Sequence, residues 1–234
     1  MITIRHSTER GHFDLGWLDT YHTFSFGHFR DPDWKGFSHL RVLNQDRVAP
    51  GKGFGTHGHD NMEIVSVVLE GTLEHKDSMG NGSQMTPGDI QLMSAGTGVT
   101  HSEFNASGSE PLHFLQMWII PAQHDTEPRY QQHHFSEEER RNTLRLVVSP
   151  DGADGSLTIG QDARLYVSSL ASGATLEHPL ANARAAWLHV TAGAVTLNGM
   201  ELREGDGASI TDTSTIKLDA ADSAAVVLWE LPVP

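Results

Sequence analysis

The sequence predicts an all-β protein built as two related β-barrels, residues 1–130 and 146–234, joined by a connecting segment at 131–145. Three observations carry this. Short alternating or β-branched runs are separated by turn glycines, which is the pattern of strands in a sandwich or barrel. The second half repeats the order of the first in outline. Two pairs of potential metal ligands stand at i, i+2 spacing, and on a strand such positions share one face.

Composition agrees and excludes several classes. A chain of 234 residues suits one large all-β domain or two of roughly 110. Hydrophobic residues are 38% and charged residues 20%, with 23 glycines, an ordinary but turn-rich globular balance. No cysteine is present, so disulfides, iron–sulfur clusters and thiolate zinc sites are excluded. Sixteen Lys and Arg against 30 Asp and Glu give a formal charge of −14. Such a surface repels phosphate backbones and anionic membranes, so no direct nucleic-acid or membrane binding is expected. The N-terminus has no apolar run after its basic residues, so no signal peptide is expected. The longest apolar stretches, 112–121 and 224–231, are too short to span a bilayer. A soluble, cytoplasmic protein is expected.

The elements follow in order. Ile2 to Ile4 alternates weakly. Residues 16–26 are dense in aromatics, with Phe24 and Phe26 on one face if extended, and Asp31-Pro32-Asp33 reads as a turn. In 40–44, Leu40, Val42 and Asn44 share one face, with Arg41 and Leu43 on the other. His12, His22, His28 and His39 are unpaired and carry no assignment. Glu63 to Leu69 is a buried strand by its β-branched content. Glu70-Gly71 turns it and 72–77 returns. Residues 112–120 are apolar on both faces, as in a central strand, and His113 reads as a core histidine. Residues 122–145 are polar, with one short helix expected near Ser136 as its N-cap; His133 and His134 read as part of a solvated linker.

The repeat is visible in particulars. Trp187 to Asn198, with a turn at Gly193, echoes 65–75 with its turn at Gly71, and Glu204-Gly205-Asp206 echoes Pro87-Gly88-Asp89. The second copy has no His-x-His or His-x-Glu; His178 and His189 stand alone. One metal site in two barrels is therefore expected.

That site centres on His57-x-His59 and His101-x-Glu103. Three imidazoles and a carboxylate, with no thiolate, suit Fe(II), Mn(II), Ni(II), Cu(II) or Zn(II), and leave one or two coordination positions open. Glu63 competes with Glu103 for the fourth place. Sharing a strand face with His101 favours Glu103, and Glu63 would then act through hydrogen bonds.

These stretches resemble the cupin motifs. Gly51, His57, His59 and Glu63 match the first, with the next glycine, Gly71, one residue late. Gly98, His101 and Asn105 match the second, where Gly96 replaces an expected proline. Within the cupins the chain resembles the pirin family and its bacterial quercetin 2,3-dioxygenase members, on 16–26, 53–59, 70–80 and 93–103. The match is specific to about residue 130 and thin beyond it. The resemblance implies a bicupin, with two jelly-roll domains packed together. It implies a divalent metal, iron foremost with Mn, Ni, Cu, Co or Zn as alternatives, on His57, His59, His101 and Glu103. It also implies cleavage of a flavonoid-like substrate with O₂ and release of carbon monoxide. A nearby carboxylate, Glu103 first or else Glu63, is then the candidate general base. Pirins are linked to regulation as well, so a metal-bearing, redox-sensitive partner of other proteins is the rival reading. A monomer is expected.

Overall fold

Alternation in single strands decides what each face of the first half meets. In Glu63–Glu70, Val65 and Val67 turn outward, while Ile64 and Val68 turn into the barrel. The computed structural model describes residues 1–234. Its first half holds a seven-stranded sheet in the order Arg129–His134, Asp89–Ser94, Glu63–Glu70, Leu112–Ile119, Leu40–Val48, Leu18–His22 and Gly11–Asp14. Opposite lies a four-stranded sheet, Gly53–His59, Val99–Asn105, Leu73–Asp77 and Gly82–Met85. The second half repeats both sheets, so the fold is a bicupin. As the apolar run predicts, Leu112–Ile119 is central, paired on both sides. The turn at Gly71 needs glycine: its φ is 80°, and a Cβ there would sit 2.4 Å from the Pro111 carbonyl oxygen.

The barrels pack through their seven-stranded sheets. Leu43, Val65, Leu115 and Met117 share one buried core with Val147, Leu165, Trp187 and Trp229. Phe24 lies 4.8 Å from Trp187, which Trp34 and Phe37 also flank. Each fully buried aromatic of this kind contributes about 1.5–3 kcal/mol relative to exposure.

Four expectations need revision. Ile2–Arg5 does not join the first barrel; it pairs antiparallel with Gly207–Ile210 and edges the second. Arg129–His134 is not linker but a strand on Asp89–Ser94, carrying the first barrel past residue 130. The true connection is short and contains the helix Glu137–Arg140, capped by Ser136 and boxed by Glu139. Phe24 and Phe26 do not share a face, because the strand ends at His22: Phe24 enters the inter-barrel core and Phe26 packs on Trp118 at 5.3 Å. Leu40 joins Leu43 in that core, since a register shift opposite Trp118 and Ile119 interrupts the alternation. No helix is long and apolar enough to cross a membrane.

Candidate metal centre

The strand Val99–Asn105 runs between Gly53–His59 and Leu73–Asp77, which sets the cluster. His101 stands opposite His57 on one side and Asp77 on the other, and Glu103 stands opposite His75. On the first pairing, Glu103 faces Phe54 while His101 faces His57, so the 53–59 strand carries an extra residue there, a β-bulge. The close approach requires Gly53, whose Cβ would lie 2.2 Å from the Glu103 carbonyl oxygen.

Hydrogen bonds on the outer side fix which nitrogens face inward. His57 Nδ1 lies 2.8 Å from the Gly55 carbonyl oxygen, which only accepts, so Nδ1 carries the hydrogen and Nε2 is bare. That Nε2 lies 3.0 Å from His101 Nε2. Two nitrogens each about 2.1 Å from one ion, at right angles, are about 3.0 Å apart. The His57, His59 and His101 rings lie 4.5–4.8 Å from one another. Glu103 Oε2 accepts from Gln116 Nε2 at 2.6 Å, and Gln116 Oε1 accepts from Trp118 Nε1 at 3.2 Å. Two buried atoms of the four candidate ligands have no partner: His59 Nε2 and Glu103 Oε1. Orphaned buried acceptors are costly, and a cation between them removes that cost. The donor set therefore fits a divalent metal. Glu103 Oε2 stands 3.9 Å from His101 Nε2, within the roughly 4.2 Å that two donors of one ion can span.

Electrostatics favour the ligating forms. Burial, assisted by the neighbouring imidazoles, pulls His101 down to about 3, and burial pulls His59 down to about 4. Both are neutral near pH 7. Burial pushes Glu103 up to about 7, and a bound cation reverses that shift.

A cavity of about 570 Å³ opens beside the cluster. Aromatic and aliphatic side chains line it, among them Phe13, Trp17, Phe26, Phe54 and Trp118. His57, His59 and Glu103 reach it, as do Asp46, Asn44 and His22. Asp46 is buried, and burial raises it to about 7, opposed by a hydrogen bond with Thr20. Its Oδ1 has no partner.

The four candidate residues thus lie together, their donors forming two triads that share His101: His57, His59 and His101, and His75, His101 and Glu103. Glu63 lies elsewhere. It faces the second barrel, accepts from Ser94 Oγ at 2.8 Å and abuts Gly160. Its position in the strand shows why: Glu63 belongs to the outward set with Val65 and Val67. His113 is a core histidine, 2.9 Å from Gln45 Nε2. Sequence reading missed His75, Gln116, Trp118, Asp46 and the cavity position of His22 and His28. Only the strand parity of Asp46 and Gln116 offered a signal.

Family comparison accords with this geometry. A model described as Pirin matches residues 3–119, and one described as Quercetinase C-terminal cupin domain matches 146–231. The quercetin 2,3-dioxygenase of Escherichia coli (strain K12) is 47% identical over 232 residues, 99% of each chain. The crystal structure of YhhW from Escherichia coli superposes with a TM-score of 0.96 at 46% identity, covering 100% of this chain and 99% of that one. A structure of bacterial pirin YhhW from Escherichia coli in complex with nickel(II) gives 0.95 at 46% identity, covering 100% of both. This chain belongs to the pirin family of bicupin proteins.

Proposed function

We propose that this chain is a metal-dependent dioxygenase of the quercetin 2,3-dioxygenase type, cleaving a flavonol with O₂ and releasing carbon monoxide. His57, His59, His101 and Glu103 hold the metal. The observation that carries the reading is the pair of orphaned acceptors, His59 Nε2 and Glu103 Oε1, beside a 570 Å³ aromatic-walled cavity. Such a volume falls within the usual range for small-molecule sites. The similarity to a protein named quercetin 2,3-dioxygenase supports the substrate class, and that to a nickel(II) complex supports a divalent ion; iron is our first choice of metal. The ion, when bound, supplies Lewis acidity toward a hydroxyl and a route for electrons between organic substrate and O₂.

The protein's own residues do the rest. Phe26, Phe54 and Trp118 offer faces and edges to flat rings. A flat substrate seated on these apolar walls displaces water, which strengthens every charge interaction within. The flavonol 3-hydroxyl must lose its proton. Glu103 is one acceptor, through Oε1, but that oxygen cannot hold a metal and a proton together. Asp46 is the second: it lines the same cavity, and its buried Oδ1 has no partner. A carboxyl near 7, as Asp46 is, suits proton transfer at neutral pH. Every donor comes from one chain, so a monomer suffices.

Purified protein loaded with Fe(II), or with Ni(II) in parallel, should consume O₂ with quercetin, bleach its visible absorption and release carbon monoxide. A flavone without the 3-hydroxyl should stay intact. Glu103→Ala should lose turnover even where metal remains. Metal-replete protein that leaves quercetin untouched at pH 6–8 would shift the reading to the rival one, a metal-bearing regulatory partner of other proteins, and equal bleaching by metal-free protein would assign the signal to autoxidation.

A further inference from the structure

Behind His101, on the side away from the cavity, a second histidine is wholly buried. His75 stacks on Tyr130 with ring centroids 5.0 Å apart. Its Nε2 lies 3.1 Å from Asp77 Oδ2. Asp77 Oδ1 accepts from the backbone N–H of Met79 at 2.9 Å and of Asn81 at 3.0 Å. The Asn81 amide donates to both carboxylate oxygens, at 3.1 and 2.9 Å. A carboxylate receiving this many donors is held ionised and acts only as acceptor.

The hydrogens can then be placed in sequence. His75 Nε2 must carry its hydrogen, to donate to Asp77. A neutral imidazole has one N–H, so His75 Nδ1 is a bare acceptor. It faces His101 Nδ1 at 3.4 Å. His101 therefore keeps its hydrogen on Nδ1 and turns a bare Nε2 toward His57. We infer that Asp77 and His75 are positioning residues of the metal centre, a buried carboxylate–imidazole pair that locks His101 in its ligating tautomer. This rests on the metal reading given above. Metal-bound histidines commonly donate their other N–H to a carboxylate, carbonyl or water; here the acceptor is a second imidazole, itself oriented by the carboxylate.

Long-range ¹H–¹⁵N spectra of the imidazole nitrogens test it in the full chain, with diamagnetic Zn(II) and after chelation. His101 should show Nδ1 protonated and Nε2 unprotonated in both, and His75 should show Nε2 protonated. His75→Phe retains a ring beside Tyr130 and removes the acceptor, so Zn(II) affinity should fall about 10–100-fold, with loss of the His101 tautomer preference. His75→Gln, whose amide oxygen can accept, should restore most of both. A chelated parent with His101 protonated on Nε2 would overturn the inference. So would His75→Phe that binds Zn(II) as tightly as the parent with an unchanged His101 tautomer. Should His75→Phe not fold, the parent spectrum decides alone. A parent that binds neither Zn(II) nor Ni(II), yet shows His101 protonated on Nδ1, would sink the metal reading and leave the tautomer lock standing.

Discussion

In the first barrel Val99–Asn105 stands between Gly53–His59 and Leu73–Asp77; in the second, Thr215–Asp219 stands between Thr175–Pro179 and Ala194–Leu197. The strand order is the same and the contents are opposite. Where His101 faces His57 in the first barrel, the second pairs Leu218 with Leu176 and Ile216 with His178. Leu188, Val190, Val195, Leu197, Ile216 and Leu218 fill the second interior in one apolar cluster. The first interior splits into two small apolar clusters, with Asn44, Asp46, Ser66, His75, His101, Glu103 and Gln116 buried among them. One copy is spent on packing, the other on chemistry. A site with unpaired acceptors and a cavity is costly on its own. A filled neighbour, fused through the core around Trp187, supplies stability that the hollow barrel lacks.

The largest break in this comparison comes from the ligands. His57→Ala, His59→Ala or His101→Ala should lower bound metal well below one per chain with the fold retained, since the lost imidazole leaves the ion an open shell. Glu103→Gln should weaken binding less, because its amide oxygen still coordinates. Metal analysis of purified variants reads this directly, and full occupancy in both His57→Ala and His101→Ala would remove the proposal. Thermal stability should follow: saturating metal at about 1,000 times Kd adds roughly 4 kcal/mol to the parent and little to the variants.

The second break is in the filled barrel. Leu218→Ala leaves a cavity in a closed apolar core and should cost about 2–5 kcal/mol. Metal content per folded molecule should not change. Loss of metal at equal folded fraction would mean that the barrels are coupled more tightly than their separate interiors imply.

What the sequence made legible follows the same division. The candidate ligand pairs stood out because i, i+2 spacing on a strand is a local rule, and the bracketing glycines marked the strand ends. The central strand 112–119 was legible for the same reason, since burial on both faces leaves a continuous apolar run. His75 and Gln116 reach the site from other strands, and only sheet order brings them there. Ile2–Arg5 was placed in the wrong barrel because its partner, Gly207–Ile210, lies at the far end of the chain. Arg129–His134 looked like linker because, at the edge of the sheet, it carries only polar side chains after Tyr130. Edge strands need no apolar stripe.

Hydrogen-ion linkage should separate the two interiors next. Asp46 sits near 7 when folded, against an ordinary 3.8. Between those values the folded chain holds a proton the unfolded chain has released. Its contribution is therefore complete below about pH 4 and is lost as pH rises through 7. Asp46→Asn should gain on the metal-free parent across that window, by at most about 1.4 kcal/mol per pH unit. His59 and His101 act in the reverse sense, their contribution present above about pH 6.5 and lost as pH falls toward 4 and 3. Leu218 and Ile216 titrate nothing, so the penalty of Leu218→Ala should be flat in pH. Urea unfolding at pH 5 and pH 8 compares them; an Asp46→Asn difference that is equal at both would place its proton elsewhere.

The smallest expected effect bears on the face that joins the barrels. Glu63 lies in the first cupin motif, yet strand parity turns it away from His57 and His101 and against the second barrel. There it holds Ser94 and meets Gly160, where an added Cβ would stand 2.9 Å from Glu63 Oε1. Burial raises its carboxyl. Glu63→Gln keeps an oxygen for Ser94 and loses a partly desolvated charge, so stability should move by about 1 kcal/mol. Metal content should stay at the parent level, in contrast to every ligand variant. Gly160→Ala should reproduce a cost of similar size by pressing on the same carboxylate, again with metal unchanged. If Glu63→Gln were to release metal as His57→Ala is expected to, parity would have failed as a guide. The fourth ligand would then have to be sought on Glu63–Glu70 instead of on Val99–Asn105.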